Sequence, residues 1–76
     1  MHKYRVCVDT MTAIRDFVAT AEKLPFNIRI ENEDGMKRGN AKTLFNVVDS
    51  ISWHKVYVIS DTDIYHHFRK FIINET

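Results

Sequence analysis

Gly39-Asn40-Ala41-Lys42-Thr43-Leu44-Phe45 closes a β-hairpin and opens a helix, with a hydroxyl in the first helical turn. Thr43 stands where a side-chain oxygen accepts hydrogen bonds from the free N–H groups of a helix start. A phosphate added there would lie at the positive end of the helix dipole. Upstream, Phe26, Ile28 and Ile30 alternate with Asn27, Arg29 and Glu31, the period of a strand with one buried face. Asp34-Gly35 then marks a turn, because glycine takes positive φ without steric cost, and a return strand near 36–41 completes the hairpin. Downstream, a helix runs from about Thr43 into the 48–52 region. A strand follows over 55–60, with Val56 and Val58 on one face.

Toward the N-terminus the same changes of period mark two more elements. Tyr4, Val6 and Val8 alternate with Lys3, Arg5 and Cys7 as a strand. Asp9, Thr10 and Thr12 offer N-cap side chains for a helix whose apolar stripe is Ile14, Phe17, Val18, Ala21 and Leu24. Pro25 ends it, since the residue before a proline avoids helical geometry. At the other end, Ser60, Asp61 or Thr62 is expected to cap a helix with Ile64, Phe68 and Phe71 or Ile72 on its inner stripe. The order is βαββαβα. One apolar face per strand and one stripe per helix pack best as an α+β open-faced sandwich: a four-stranded antiparallel sheet with three helices on one face.

Seventy-six residues make one domain, 1–76, and leave no room for a second. A hydrophobic share of 45% with 28% charged residues is that of an ordinary globular chain and excludes a disordered one. Formal net charge is +1, so anion binding has to come from a local patch. A single cysteine, Cys7, forms no intramolecular disulfide, which suits a reducing cytosol. The start of the chain enters an alternating run instead of an apolar block, so neither a signal peptide nor a membrane span is expected.

Asn40-Ala41-Lys42-Thr43-Leu44-Phe45 resembles the Asn-Ala-Lys-Ser-hydrophobic-hydrophobic segment of the HPr family, the histidine phosphocarriers of the bacterial sugar phosphotransferase system. The similarity of pattern extends from Lys3 to about Ile73, with the same element order; only the six-residue segment is specific. The resemblance implies the open-faced sandwich and a bacterial cytoplasmic location. It also implies that Thr43 occupies the place of a serine phosphorylated by an ATP-dependent kinase. Leu44 and Phe45 match the pair that family members use to dock partners, among them a transcriptional repressor.

The phosphocarrier histidine has no counterpart. That junction reads Asp9-Thr10-Met11-Thr12-Ala13-Ile14-Arg15 and is shorter by about three residues. Imidazole is nucleophilic at neutral pH and forms a phosphoramidate that transfers readily, whereas threonine hydroxyls form stable esters. Asp9 would repel an incoming phosphate, and Arg15 is not at the matching place. Phosphocarrier chemistry, and enzyme activity generally, is therefore not expected, nor is any cofactor. What remains is a regulatory or docking module using Lys42, Leu44, Phe45 and Val48, with Thr43 as a modification site or simply a helix cap. In this reading Val47 and Ile51 face the sheet while Phe45, Val48 and part of Leu44 are exposed; a rotated helix that buries all of them is the alternative.

A different function class comes from the sheet. With Val6, Ile28 and Val56 toward the helices, Lys3, Arg5, Arg29 and Lys55 converge with Tyr57 on the wet face, a surface for single-stranded nucleic acid or another anion. One aromatic is few for a stacking platform, and Glu31 nearby also fits a plain solvated face. Self-association, as a homodimer through the open face or the second helix, is a third reading. His66 and His67 point about 100° apart on a helix, and His2 and His54 lie elsewhere, so no metal site is expected. Cys7 falls on the open face without an assigned basic partner, and Trp53 is placed as a plug at the core edge.

Overall fold

The computed structural model describes residues 1–73. Its elements follow the expected order: β1 (His2–Val6), α1 (Met11–Glu22), β2 (Arg29–Asn32), β3 (Arg38–Asn40), α2 (Leu44–Asp49), β4 (Val56–Ser60) and α3 (Tyr65–Phe68). Short 3₁₀ turns, Ser50–Ser52 and Arg69–Phe71, extend α2 and α3. The four strands form one antiparallel sheet in the order β1-β4-β2-β3. Val6, Ile30 and Val58 of the sheet join Ile14, Phe17, Val18 and Ala21 of α1, Val47 of α2 and Phe68 of α3 in one core. All three helices therefore cover the same sheet face. No helix among the described residues is long and apolar enough to cross a membrane.

The register of β4 explains the two faces. Val58 pairs with Tyr4 on one side and Ile30 on the other, so these three residues share the helix-covered face. Ile59 pairs with Lys3 and Arg29, and Tyr57 with Arg5 and Glu31, which places all six on the opposite face by the two-residue alternation of strands. Ile59 is only 1% exposed yet lies outside the helix-facing core, because long side chains flank it in the ladder.

Helix α1 starts as its sequence indicates, with the Thr10 hydroxyl accepting the Ala13 N–H at 3.1 Å. It ends two residues before Leu24, whose N–H reaches the Ala21 carbonyl ahead of Pro25. The aromatic centre of the core is Phe17, with ring centroids 5.0 Å from Phe68 and 5.2 Å from Phe71. Trp53 is buried at the core edge. The Asp34-Gly35 turn holds Gly35 at φ 77°, while Asn32 Oδ1 accepts the Lys37 N–H and Asp34 Oδ1 the Met36 N–H.

The start of α3 differs from expectation. Ser60 Oγ accepts the Thr62 N–H, but it is the Asp63 carboxylate that accepts the Tyr65 N–H, at 3.0 Å. The same oxygen accepts the Tyr4 hydroxyl at 3.1 Å, tying β1 to α3 across the sequence. Strands β2 and β3 are also shorter than their alternating runs. Phe26 and Ile28 pack inward from an irregular approach to β2 before ladder pairing begins at Arg29.

Candidate functional site

The hairpin-to-helix junction is built around two asparagines. Asn40 Oδ1 accepts the Lys42 N–H at 2.8 Å, and its carbonyl accepts the Thr43 N–H at 3.0 Å. Asn46 Oδ1 reaches back from α2 to accept the Asn40 N–H at 2.8 Å. That return requires Gly39: a Cβ there would stand 2.9 Å from Asn46 Cβ and 3.0 Å from its Oδ1. Thr43 occupies the N-cap position, but its side chain makes no capping hydrogen bond, contrary to expectation. Asn46 has turned to β3 and the Thr43 hydroxyl is exposed. Lys42 is committed elsewhere, its ammonium donating to the Leu24 carbonyl at 2.7 Å, where α1 ends.

Past the junction, α2 presents apolar side chains to solvent. Phe45 is 81% exposed, Leu44 39% and Ile51 47%, while Val47 is buried. Val48 is half-buried against the core instead of exposed. Ile51, expected to face the sheet, faces water because the helix tightens. The buried Ser50 hydroxyl donates to the Val47 carbonyl at 2.6 Å and a 3₁₀ turn begins there. Three residues per turn in place of 3.6 swing Ile51 out of line with Val47. Within α2, Leu44, Phe45 and Val48 span an arc of about 100° at helical spacing, with Phe45 at its most exposed margin, and the 3₁₀ turn adds the exposed Ile51 beyond it.

The open sheet face gathers the expected cations. Lys3, Arg5, Arg29 and Tyr57 share it by register, and Lys55 lies just before β4. Sequence reasoning missed Arg38, which the β2–β3 register sets opposite Glu31 on this same face. The signal was the hairpin alternation, but its register depends on the turn. Two carboxylates stand among these cations, Glu31 on the same face by register and Glu33 beside Lys55. Arg29 Nε donates to Glu31 at 2.7 Å, and Lys55 Nζ lies 3.0 Å from Glu33. Hydrogen bonding to Lys55 holds the Glu33 carboxyl below its usual range and, reciprocally, raises Lys55. The Lys3 ammonium lies 4.7 Å from the centroid of the Tyr57 ring, in the position a stacking base would use.

Other groups do not assemble a reactive centre. Cys7 is exposed beside a shallow groove of about 190 Å³ that Arg5, His54 and Lys55 also line. No group of three histidine, cysteine or acidic residues among the described residues can hold a metal ion. Asp63 combines the Tyr4 and Tyr65 hydrogen bonds with His2 Nδ1 at 3.9 Å. The Tyr65 N–H, foremost, lowers the Asp63 pKa, and burial followed by the Asp63 hydrogen bond raises that of Tyr4. No family model, curated protein or solved structure matches this chain.

Proposed function

We propose that this domain is a non-enzymatic, cytoplasmic protein-interaction module of HPr-like type that docks partners through α2. The observation that carries the reading is Phe45, a phenylalanine 81% exposed on a helix whose neighbouring apolar residues Leu44 and Ile51 are exposed as well. A contiguous apolar patch of this kind, rimmed by polar residues, is characteristic of protein-binding surfaces, and aromatic anchors dominate their energetics. Val48 supports the patch from its half-buried position.

Thr43 provides the control point in this reading. Its hydroxyl is exposed and makes no capping bond, so a kinase meets no competing interaction. A phosphate there would put a dianion beside Leu44 and Phe45 and change what the patch accepts. Lys42, held by Leu24, helps to fix the junction instead of serving as the phosphate's counter-ion.

The test pairs capture with modification. Phe45→Ala should abolish retention of a partner from a bacterial extract of the phosphotransferase type while leaving thermal stability unchanged; retention equal to wild type refutes docking through α2. Incubation with the ATP-dependent HPr kinase should place phosphate on Thr43. Acid-labile phosphate on a histidine, formed with the phosphoenolpyruvate-dependent enzyme, would overturn the non-phosphocarrier reading.

A further inference from the structure

We infer that the groove between β2 and β3 on the open sheet face binds a small oxyanion ligand, a phosphate or carboxylate compound gripped by Arg29 and Arg38. The groove has a volume of about 420 Å³ and is lined by Asn27, Ile28, Arg29, Arg38, Gly39 and Asn40. That volume lies in the lower range of small-molecule sites. Gly39 and Asn40 of its lining also belong to the junction that holds α2, but none of the exposed apolar residues of α2 lines it, and the inference does not depend on the docking function.

Both guanidinium groups are anchored at Nε. Arg29 Nε donates to Glu31 at 2.7 Å, and Arg38 Nε donates to the Gly35 carbonyl at 2.9 Å. A guanidinium carries five N–H donors in a planar fork, so anchoring Nε orients the plane and leaves terminal donors for a ligand. Arg29 Nη2 is engaged with the Met1 sulfur at 3.3 Å, a weak acceptor that an oxyanion outcompetes. Arg38 forms no ion pair with a carboxylate among the described residues.

The register brings the two cations together around a single acid. Arg38 lies directly opposite Glu31, and Arg29 lies two residues before Glu31 on the same strand face. Glu31 repels an anion, but Arg29 already neutralises it, so the second guanidinium is the uncompensated charge. Asn40, opposite Arg29, has its amide orientation set because Oδ1 accepts the Lys42 N–H at 2.8 Å. Its Nδ2 is thereby assigned as a donor, and together with Arg38 it offers an oxyanion neutral and charged hydrogen bonds from one strand.

The experiment is a two-dimensional amide NMR titration of the full chain with inorganic phosphate, glucose 6-phosphate and citrate, each balanced with chloride to constant ionic strength. Saturable shifts at Arg29, Gly39 and Asn40 are expected. Saturation by the two phosphates or by citrate identifies which oxyanion class the groove prefers. Arg38→Ala, at an exposed position, should retain the folded spectrum and weaken binding about tenfold or more. Arg38→Lys should weaken it comparably, because an ammonium keeps the charge and loses the fork. Shifts no larger than those from chloride, or unchanged affinity in either variant, would overturn the proposal.

Discussion

Replacing Gly39 by alanine tests whether the junction holds α2 in place. The new Cβ would lie 2.9 Å from Asn46 Cβ, 3.0 Å from Oδ1 and 3.2 Å from Cγ, so Asn46 has to move. Asn46 Cβ is fixed to the helix backbone, and rotating the side chain relieves only the two outer contacts. Overpacking of this kind costs about 1–3 kcal/mol. Displacing Oδ1 from the Asn40 N–H adds about 1 kcal/mol. Gly39 is not at positive φ, so alanine also stiffens the unfolded chain and returns roughly 0.4–1 kcal/mol. The net destabilisation is about 2 kcal/mol, a fall in Tm of about 8–16 °C for a domain of this size. Differential scanning calorimetry measures it directly. Asn46→Ala in the Gly39→Ala background keeps the 2.9 Å Cβ contact and should not restore stability, whereas Asn46→Gly removes it and should make the double variant less destabilised than the sum of its parts. A Gly39→Ala Tm equal to or above wild type, or equal effects of the two second substitutions, would refute the steric account.

Phe17→Ala should cost about 3–5 kcal/mol, because a fully buried ring in contact with Phe68 and Phe71 is lost. Total stability for 76 residues is on the order of 4–11 kcal/mol, so urea titration should show a midpoint lowered by about half. Thr10→Ala removes the α1 cap and should lower stability by about 1 kcal/mol, read as a lower urea midpoint at unchanged slope. Asp63 governs part of the pH dependence at both extremes. Its lowered pKa contributes stability present above the ordinary carboxylate range and lost as pH falls through the depressed value. The raised Tyr4 pKa contributes stability present below the ordinary value of 10.0 and lost as pH rises through the folded value. Asp63→Asn should remove the Asp63 contribution to the acid limb of a Tm–pH profile and flatten the alkaline limb only in part, because burial of Tyr4 remains; an acid limb as steep as wild type would place the linkage elsewhere.

The core was legible because period and burial are the same physical constraint. Ile14, Phe17, Val18 and Ala21 face inward because a helix with one covered side must put its apolar stripe there, and Val6, Ile30 and Val58 obey the corresponding rule for strands. Element order and the single-layer covering of the sheet followed, as did the sharing of one wet face by Lys3, Arg5, Arg29 and Tyr57. Helix α2 carries more apolar positions than one stripe can bury, which left exposure of Phe45 and a rotated helix both open until the fold exposed it.

Contacts between residues distant in sequence, and competition among nearby polar groups, were decided only by tertiary structure. Thr43 looked like a cap because its residue type favours that role, yet the junction used Asn40 and Asn46 and left the hydroxyl exposed. Ile51 looked like a core residue on a continuous helix, until buried Ser50 closed a 3₁₀ turn onto Val47. The tie from Asp63 to Tyr4 could not be read locally, because the two lie 59 residues apart. Arg38 joined the basic face through a register set by the Gly35 turn. Local sequence therefore determined which surfaces had to be buried, since hydrophobic burial needs only pattern. The polar pairings depended on which donors and acceptors the packed elements brought within about 3 Å, and no local pattern encodes that distance.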